Sequence, residues 1–363
     1  MKGKTMATEI DGGKWKNTQE RHRRWWRREG VIIARWAPFL SATPPFSPDP
    51  EDRVEAQWLD IERVAARVAH ESRYTDYAAD MAPIANFTGW GPGCLATYLG
   101  SRPKFAEDTV WFFPRADEPE LWPEFRFDPE NEWWRLHEVT LRRLVRESEG
   151  RYLVGCPDLV ENLDILSSLR DSQEIMIDMI EKPEWVSERI RQINTVWFAA
   201  YERIFDIIKA DDGSSAYHAF GIWGDGKTAK LQCDASAMIS EDMFDEFVVP
   251  ALSEQAAWLD NAVYHLDGTQ ALRHLDSLLA IPGLDAIEWT PQAGIEGGGD
   301  KRWYEVIRKI IDAGKAVMTV HVSAADVVPL LDAVGPRGIF LHVNDLDSAE
   351  ALDALAEEVH RRF

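Results

Sequence analysis

Cysteine, positive charge and long apolar runs are all scarce in this 363-residue chain. Only Cys94, Cys156 and Cys233 occur, an odd number at distant positions with no Cys-x-x-Cys pair and no disulfide-like spacing, which fits a reducing compartment. Forty Lys and Arg stand against 62 Asp and Glu, and the formal charge of -22 repels phosphate backbones and anionic lipid, so neither nucleic acid nor membrane is expected as a partner. No run approaches the roughly 20 apolar residues of a membrane span. The opening MKGKTMATEIDGGKWK also lacks the apolar stretch of a signal peptide. Residues 1–30 therefore read as a leader followed by a helix, and a cytoplasmic location is expected. A Gly-rich phosphate loop is missing too. After Ala37 the chain reads Pro-Phe-Leu-Ser-Ala-Thr-Pro-Pro, against a dinucleotide-binding open sheet, and Gly297-Gly298-Gly299 is followed by no Gly-Lys-Ser/Thr.

What is present is an ordinary globular composition, 45% hydrophobic, with 16 tryptophans able to fill a core or line a pocket. Short β-rich runs alternate with helical patterns. Strands are expected near Val31–Ala37, Pro83–Phe87, Tyr152–Cys156, Ala216–Ile222, Ala262–His265, Leu284–Trp289, Ala316–Val320 and Gly338–Val343. A further extended run, Ala229–Cys233, either pairs with the fourth strand or continues it past a Gly-Asp-Gly turn. Helices carry their own punctuation: Ser240 caps one, Gly335-Pro336 stops another over Asp326–Ala333, and the longest spans about Ser172 to Ala210. Arg21 to Arg28, Arg-His-Arg-Arg-Trp-Trp-Arg-Arg, has the interleaving of a single-strand binder, but an amphipathic helix with its Trp packed inward explains it as well. Eight strands, each followed by a helix, imply parallel pairing with right-handed crossovers, which closes as a (β/α)8 TIM barrel over residues 31–363. The Pro- and Trp-rich segments at Pro44–Pro50 and Trp111–Trp134, including an insertion around 100–135, are expected as lid-like additions at its mouth.

In such a barrel the reactive groups sit where strands end. The later strands end in acids and histidines: His265-Leu-Asp267, Glu288, His321 and His342. His265 and Asp267 are two apart, so an extended backbone sends both side chains to one face. Glu288 and His342 arrive from other strands, and these four make a candidate metal set. A metal-free site using the same groups as acids, bases and anion clamps is the alternative. Asp158, Asp234 and His321 are candidate catalytic groups, although Asp158 also suits a turn and Asp234 a helix cap. Trp90, Tyr217, His218, Trp223 and Trp289 are candidate pocket walls, or core. Cys156 and Cys233 read as buried structural thiols.

Several segments, in this order, carry a resemblance: Phe87-Thr-Gly-Trp-Gly-Pro-Gly93, Phe127-Asp-Pro-Glu-Asn-Glu-Trp-Trp134, Gly155-Cys-Pro-Asp158, Leu231-Gln-Cys-Asp-Ala-Ser-Ala-Met-Ile-Ser240 with Phe244 to Pro250, and His265-Leu-Asp-Gly268. From about residue 75 onward the chain resembles the uroporphyrinogen decarboxylase-like superfamily, which includes corrinoid-dependent methyltransferases and is related to cobalamin-independent methionine synthase. The resemblance is strongest to a methyltransferase-like branch. It implies a zinc ion held by a His-x-Cys pair on the fifth strand, a Cys on the eighth and, in methionine synthase, a Glu on the sixth. Carried over by position, these fall on His265, Asp267, Glu288 and the segment His342–Asp345, with neither cysteine kept. Oxygen and nitrogen donors make a harder centre, suited to Lewis-acid activation rather than to thiolate formation. The Arg-rich segment that grips porphyrin carboxylates is reduced to Arg35, which argues against uroporphyrinogen.

The resemblance thus implies a methyltransferase that moves a methyl group between a small molecule and a thiol or a corrinoid carried by a partner protein, with a divalent metal, zinc first. His321 and Asp234 would move protons. A lyase acting on a small carboxylic acid and a barrel that only binds its ligand are the rival readings. A monomer or homodimer is expected.

Overall fold

The computed structural model describes residues 12–40, 46, 54–87 and 89–363. The expected lid at Pro44–Pro50 falls almost wholly outside the described residues, as do residues 1–11 of the leader.

The architecture is α/β. Six parallel strands form the central sheet: β1 (Val31–Ala34), β2 (Thr228–Gln232), β3 (Asn261–Asp267), β4 (Ala286–Thr290), β5 (Ala316–Val322) and β6 (Ile339–Val343), in the order β1-β6-β5-β4-β3-β2. Their interiors are almost continuously buried, as expected when helices cover one face of a sheet and other side chains fill the opposite face.

Beyond β1 the ladder thins to isolated contacts. Ile84 bridges Leu153 and Cys156 bridges Tyr217, both parallel. The expected strands at 83–87 and 152–156 are therefore single bridges, and no continuous ladder closes the sheet among the described residues. Pro83 and Pro157 flank these bridges and carry no N–H to donate. The expected strand Ala216–Ile222 also differs. Ser215–Tyr217 turns through Ala219–Gly221 and returns antiparallel as Ile222–Gly224. Phe220 takes φ 62° and Gly221 φ 64° in that turn. The run at 229–233, left open above, is β2, a full member of the main sheet paired with β3.

Helix α1 (Gly12–Trp26) contains most of the basic-aromatic segment. Trp25 and Trp26 are buried, and Trp25 Nε1 donates to the Gly338 carbonyl at 3.1 Å, beside the start of β6. The segment is thus an amphipathic helix packed across the N-terminal ends of the strands. The long helix expected over 172–210 is two, Ser172–Glu181 and Pro183–Ile208. Pro183 opens the second, because proline disfavours helical backbone in the residue before it and suits a first turn. Ser240 Oγ accepts from Met243 N at 3.2 Å, as its capping position implies. The inserted region holds a hairpin of Arg102–Phe105 with Val110–Phe113. Among the described residues no helix is long and apolar enough to cross a membrane.

Candidate metal centre and adjoining cavity

Strand register sets the site. Gln232 pairs with His265, His265 with Glu288, and Glu288 with Met318, so these side chains share one face of the sheet. One step further along, Asp267 pairs with Thr290, and Asp234 follows the end of β2. Asp234, His265 and Asp267 each bring one ligand atom into a group whose members all lie within 4.8 Å of one another. Asp234 and Asp267 are exposed and His265 is half-buried, so the group sits at a rim.

Behind the rim lies a supporting layer. Glu288 is fully buried and accepts a short hydrogen bond from His265 Nδ1, while Thr290 Oγ1 donates to its other oxygen at 2.7 Å. With Nδ1 so occupied, Nε2 is the His265 nitrogen left to act as a ligand. Burial opposes charge on His265, but the Glu288 carboxylate outweighs it and raises the imidazole pKa above its ordinary value. Asp164 accepts from the backbone N–H groups of Asp234 and Ala235 at 2.8 and 3.0 Å, which fixes the turn that presents Asp234. Burial, and then the charge of Asp234, push the Asp164 carboxyl up to about 7.

A second polar line runs from the rim into the interior. Gln232 Nε2 donates to Asp234 Oδ2 at 3.0 Å, and Lys230 Nζ donates to Gln232 Oε1 and, at 2.5 Å, to Asp158 Oδ2. Tyr217 donates its hydroxyl to Asp158 Oδ1 at 3.2 Å. Lys230, only 3% exposed, and Gln232 were missed by sequence reasoning. The signal existed: Lys230, Gln232 and Asp234 alternate through Lys-Leu-Gln-Cys-Asp with a period of two.

Other expected site residues lie elsewhere. His342, on β6, is separated from β3 by two strands, and neighbouring strands stand about 4.8 Å apart. The Phe220 ring neighbours both, its centroid 5.1 Å from that of His265 and 6.5 Å from that of His342. His342 is therefore not brought to the group that holds His265, because metal–nitrogen bonds of about 2 Å cannot span that gap. Burial drives its pKa down to about 3, against the weaker opposing effect of the Phe220 and Arg35 backbones beside it. His321 sits on a bulge in β5, where the register with β6 shifts between Thr319 and Val322, and it is exposed with φ 55°. A Cβ on Gly297 or Gly298 would overlap the His321 carbonyl or the Thr319 hydroxyl, so the triple-glycine loop serves close packing against this bulge.

Of the expected aromatic walls, His218 lines a cavity of about 590 Å³ together with Trp36, Tyr77, Asp158, Phe220 and His342. Tyr217 supports Asp158 from behind. The rest pack in the core. Trp223 lies beside α1, where its carbonyl accepts from Trp26 Nε1 at 2.9 Å. Trp289 alternates to the opposite face from Glu288 and meets Trp303 at 4.9 Å, and Trp90 stacks on His137 at 4.5 Å. All three cysteines are free and buried, and burial raises each thiol pKa.

No protein-family model matches this chain, and no curated protein matches it. Among solved structures it is similar to a methyltransferase from Methanosarcina mazei, with 10% sequence identity and a TM-score of 0.60. The likeness covers 95% of this chain and 98% of that one, and at this identity it establishes a shared fold.

Proposed function

We propose that the chain is a metal-dependent enzyme of the methyltransferase type, built on a (β/α)8-barrel scaffold in which the bridged segments at residue 84 and at residues 153–156 stand as the two staves beyond the six paired strands. The observation that carries this reading is the convergence of Asp234, His265 and Asp267 within 4.8 Å. Its donor chemistry fits a divalent cation, zinc first: two carboxylates and one imidazole, with a buried carboxylate fixing that imidazole through its other nitrogen. A cation there would supply Lewis-acid polarisation of a substrate oxygen or nitrogen. Glu288 holds His265 in one tautomer. Gln232 and Asp164 hold Asp234. The methyl acceptor is proposed to be a thiol or a corrinoid carried by a partner protein.

Metal counting by mass spectrometry on the purified protein tests the reading. One equivalent of a divalent transition metal is expected, lost in His265→Ala and Asp267→Ala. Methyl transfer from a labelled donor to cob(I)alamin or a thiol should stop in chelator and return with zinc. Protein without stoichiometric metal whose activity ignores chelator would overturn it. Carbon dioxide release without any acceptor would instead make the chain a lyase.

A further inference from the structure

A strand face turned to solvent is normally polar when the opposite face already packs on the body. The hairpin of Arg102–Phe105 with Val110–Phe113 departs from this. Its inner face is used up: Val110 is buried, and the Phe105 ring lies 6.1 Å from that of Trp58 and 6.3 Å from that of Trp133. Its outer face carries Trp111 and Phe113, 62 and 49% exposed, and the register sets Lys104 opposite Trp111 and Arg102 opposite Phe113. Arg102 and Lys104 make no ion pair and no side-chain hydrogen bond among the described residues.

The apolar surface continues along this flank. Arg115 N, just past the hairpin, donates to the Leu169 carbonyl at 3.0 Å, which joins the hairpin to the helix Asn162–Arg170. That helix leads directly into the next, Ser172–Glu181, whose outer side presents Ile177 and Ile180. Lys182, at the end of the second helix, pairs with Glu120 at 3.1 Å and so brings Leu121 alongside. Leu121 and Ile180 are 74 and 75% exposed. Trp111, Phe113, Leu121, Ile177 and Ile180 are thus half of the large apolar side chains exposed among the described residues, and their elements neighbour one another. Apolar residues scattered singly over a surface need no explanation, whereas a concentration of this kind marks an interaction surface.

Charge on this flank is divided by sign. Arg102 and Lys104 stand at the hairpin end. Glu181, which ends one helix, and Glu184, which opens the next, stand beside the two isoleucines, both exposed and both without an ion pair among the described residues. An anion such as a phosphate backbone would suit the hairpin but would meet these glutamates further along. A flank that is cationic at one end and anionic at the other is instead its own complement, because a twofold rotation lays each end on the opposite end of a second copy. Trp and Arg at the centre of such a contact are the side chains that carry most binding energy.

We propose that two copies of this chain associate through this flank about a twofold axis, the hairpin of each lying on the helix Ser172–Glu181 of the other, with Arg102 and Lys104 meeting Glu181 and Glu184. The tip of the hairpin, Asp108 to Val110, also lines the 590 Å³ cavity, so the contact steadies one wall of it. None of these residues belongs to the metal rim, and the proposal stands or falls apart from the enzyme reading. Sedimentation velocity of the full chain over a concentration series tests it. A dimer and nothing larger is expected. Trp111→Ala, at an exposed position, should raise the dimer dissociation constant at least about tenfold while its circular dichroism stays that of the wild type. Lys104→Glu and Glu181→Lys should each favour the monomer by setting like charges together, and the two combined should restore the dimer. A wild-type chain that stays monomeric throughout would overturn the proposal, as would assembly that grows past the dimer. So would wild-type association of folded Trp111→Ala, or a double charge variant that associates no better than either single one.

Discussion

Glu288 takes its hydrogen bond from the Nδ1 of His265, and that one contact leaves Nε2 as the imidazole nitrogen open to a ligand beside Asp234 and Asp267. Glu288 has no exposure of its own and a second donor in Thr290, so it serves to orient His265 rather than to meet a ligand directly. Glu288→Gln keeps the shape but removes the charge that favours the Nδ1 proton. Zinc affinity, measured by competition with a chromophoric chelator, should fall about 10- to 100-fold. An unchanged affinity would separate His265 from any metal role.

The pH dependence of stability follows from buried neutral histidines. His137 is fully buried, bonded through Nδ1 to the Tyr98 hydroxyl at 2.6 Å and stacked on Trp90, and burial lowers its pKa to about 3. In the unfolded chain the same group takes a proton near pH 6.5. Between these values the unfolded state binds a proton that the folded state refuses, so stability is full above about pH 6.5 and drops as pH falls toward 3. The limiting slope is about 1.4 kcal/mol per pH unit for one such group. Urea denaturation at pH 7.5 and pH 5 should show the loss, and His137→Gln should flatten it. A variant with the wild-type slope would refute this assignment.

Asp80 joins the two ends of the chain. Its buried carboxylate receives Arg21, the backbone N–H of Ile33 at 2.9 Å and His360 Nε2 at 2.9 Å, and its carbonyl meets His22 Nε2 at 3.0 Å. Burial opposes its charge, but His360 and Arg21 prevail and hold its pKa below the usual carboxylate value. The stability this contributes is present above that usual value and is lost only as pH falls through the lowered one. Asp80→Ala leaves three donors without an acceptor and should cost about 3–5 kcal/mol in denaturant unfolding at pH 7. A loss below about 1 kcal/mol would mean that the cluster is held by other contacts.

Much of the scaffold was legible because apolar runs bounded by Gly and Pro mark buried strands whatever their partners. β3, β4, β5 and β6 lie where the runs fall, and the packing of Trp25 and Trp26 follows from the amphipathic pattern of α1. The break at Lys182-Pro183 was readable in principle from the proline and was overridden by the apolar periodicity on both sides. At the site, His265 and Asp267 meet because a period of two is a local property. His342 stays apart because strand count is not local: spacing along the chain gives the face of a sheet, not the number of strands between two residues. Lys230 was hidden for the opposite reason, as a charged residue inside a run whose neighbours are apolar.

That buried lysine supports the last prediction. Lys230 is 3% exposed and its partner Asp158 is 15% exposed at the side chain, so the pair lies mostly out of water and each charge depends on the other. Lys230→Met removes the ammonium and leaves Asp158 with the Tyr217 hydroxyl at 3.2 Å as its side-chain partner among the described residues, an uncompensated charge that should cost about 3–5 kcal/mol. Asp158→Asn alone strands the lysine instead. The double variant removes both charges together, and its loss should be smaller than the sum of the single losses by at least about 1 kcal/mol. Lys230 also steadies Gln232, which holds Asp234, so Lys230→Met should weaken zinc binding, whereas a purely structural pair would leave it unchanged. Additive losses in the cycle would show that the two charges do not depend on one another, and unchanged zinc affinity in Lys230→Met would cut the line from the cavity wall to the rim.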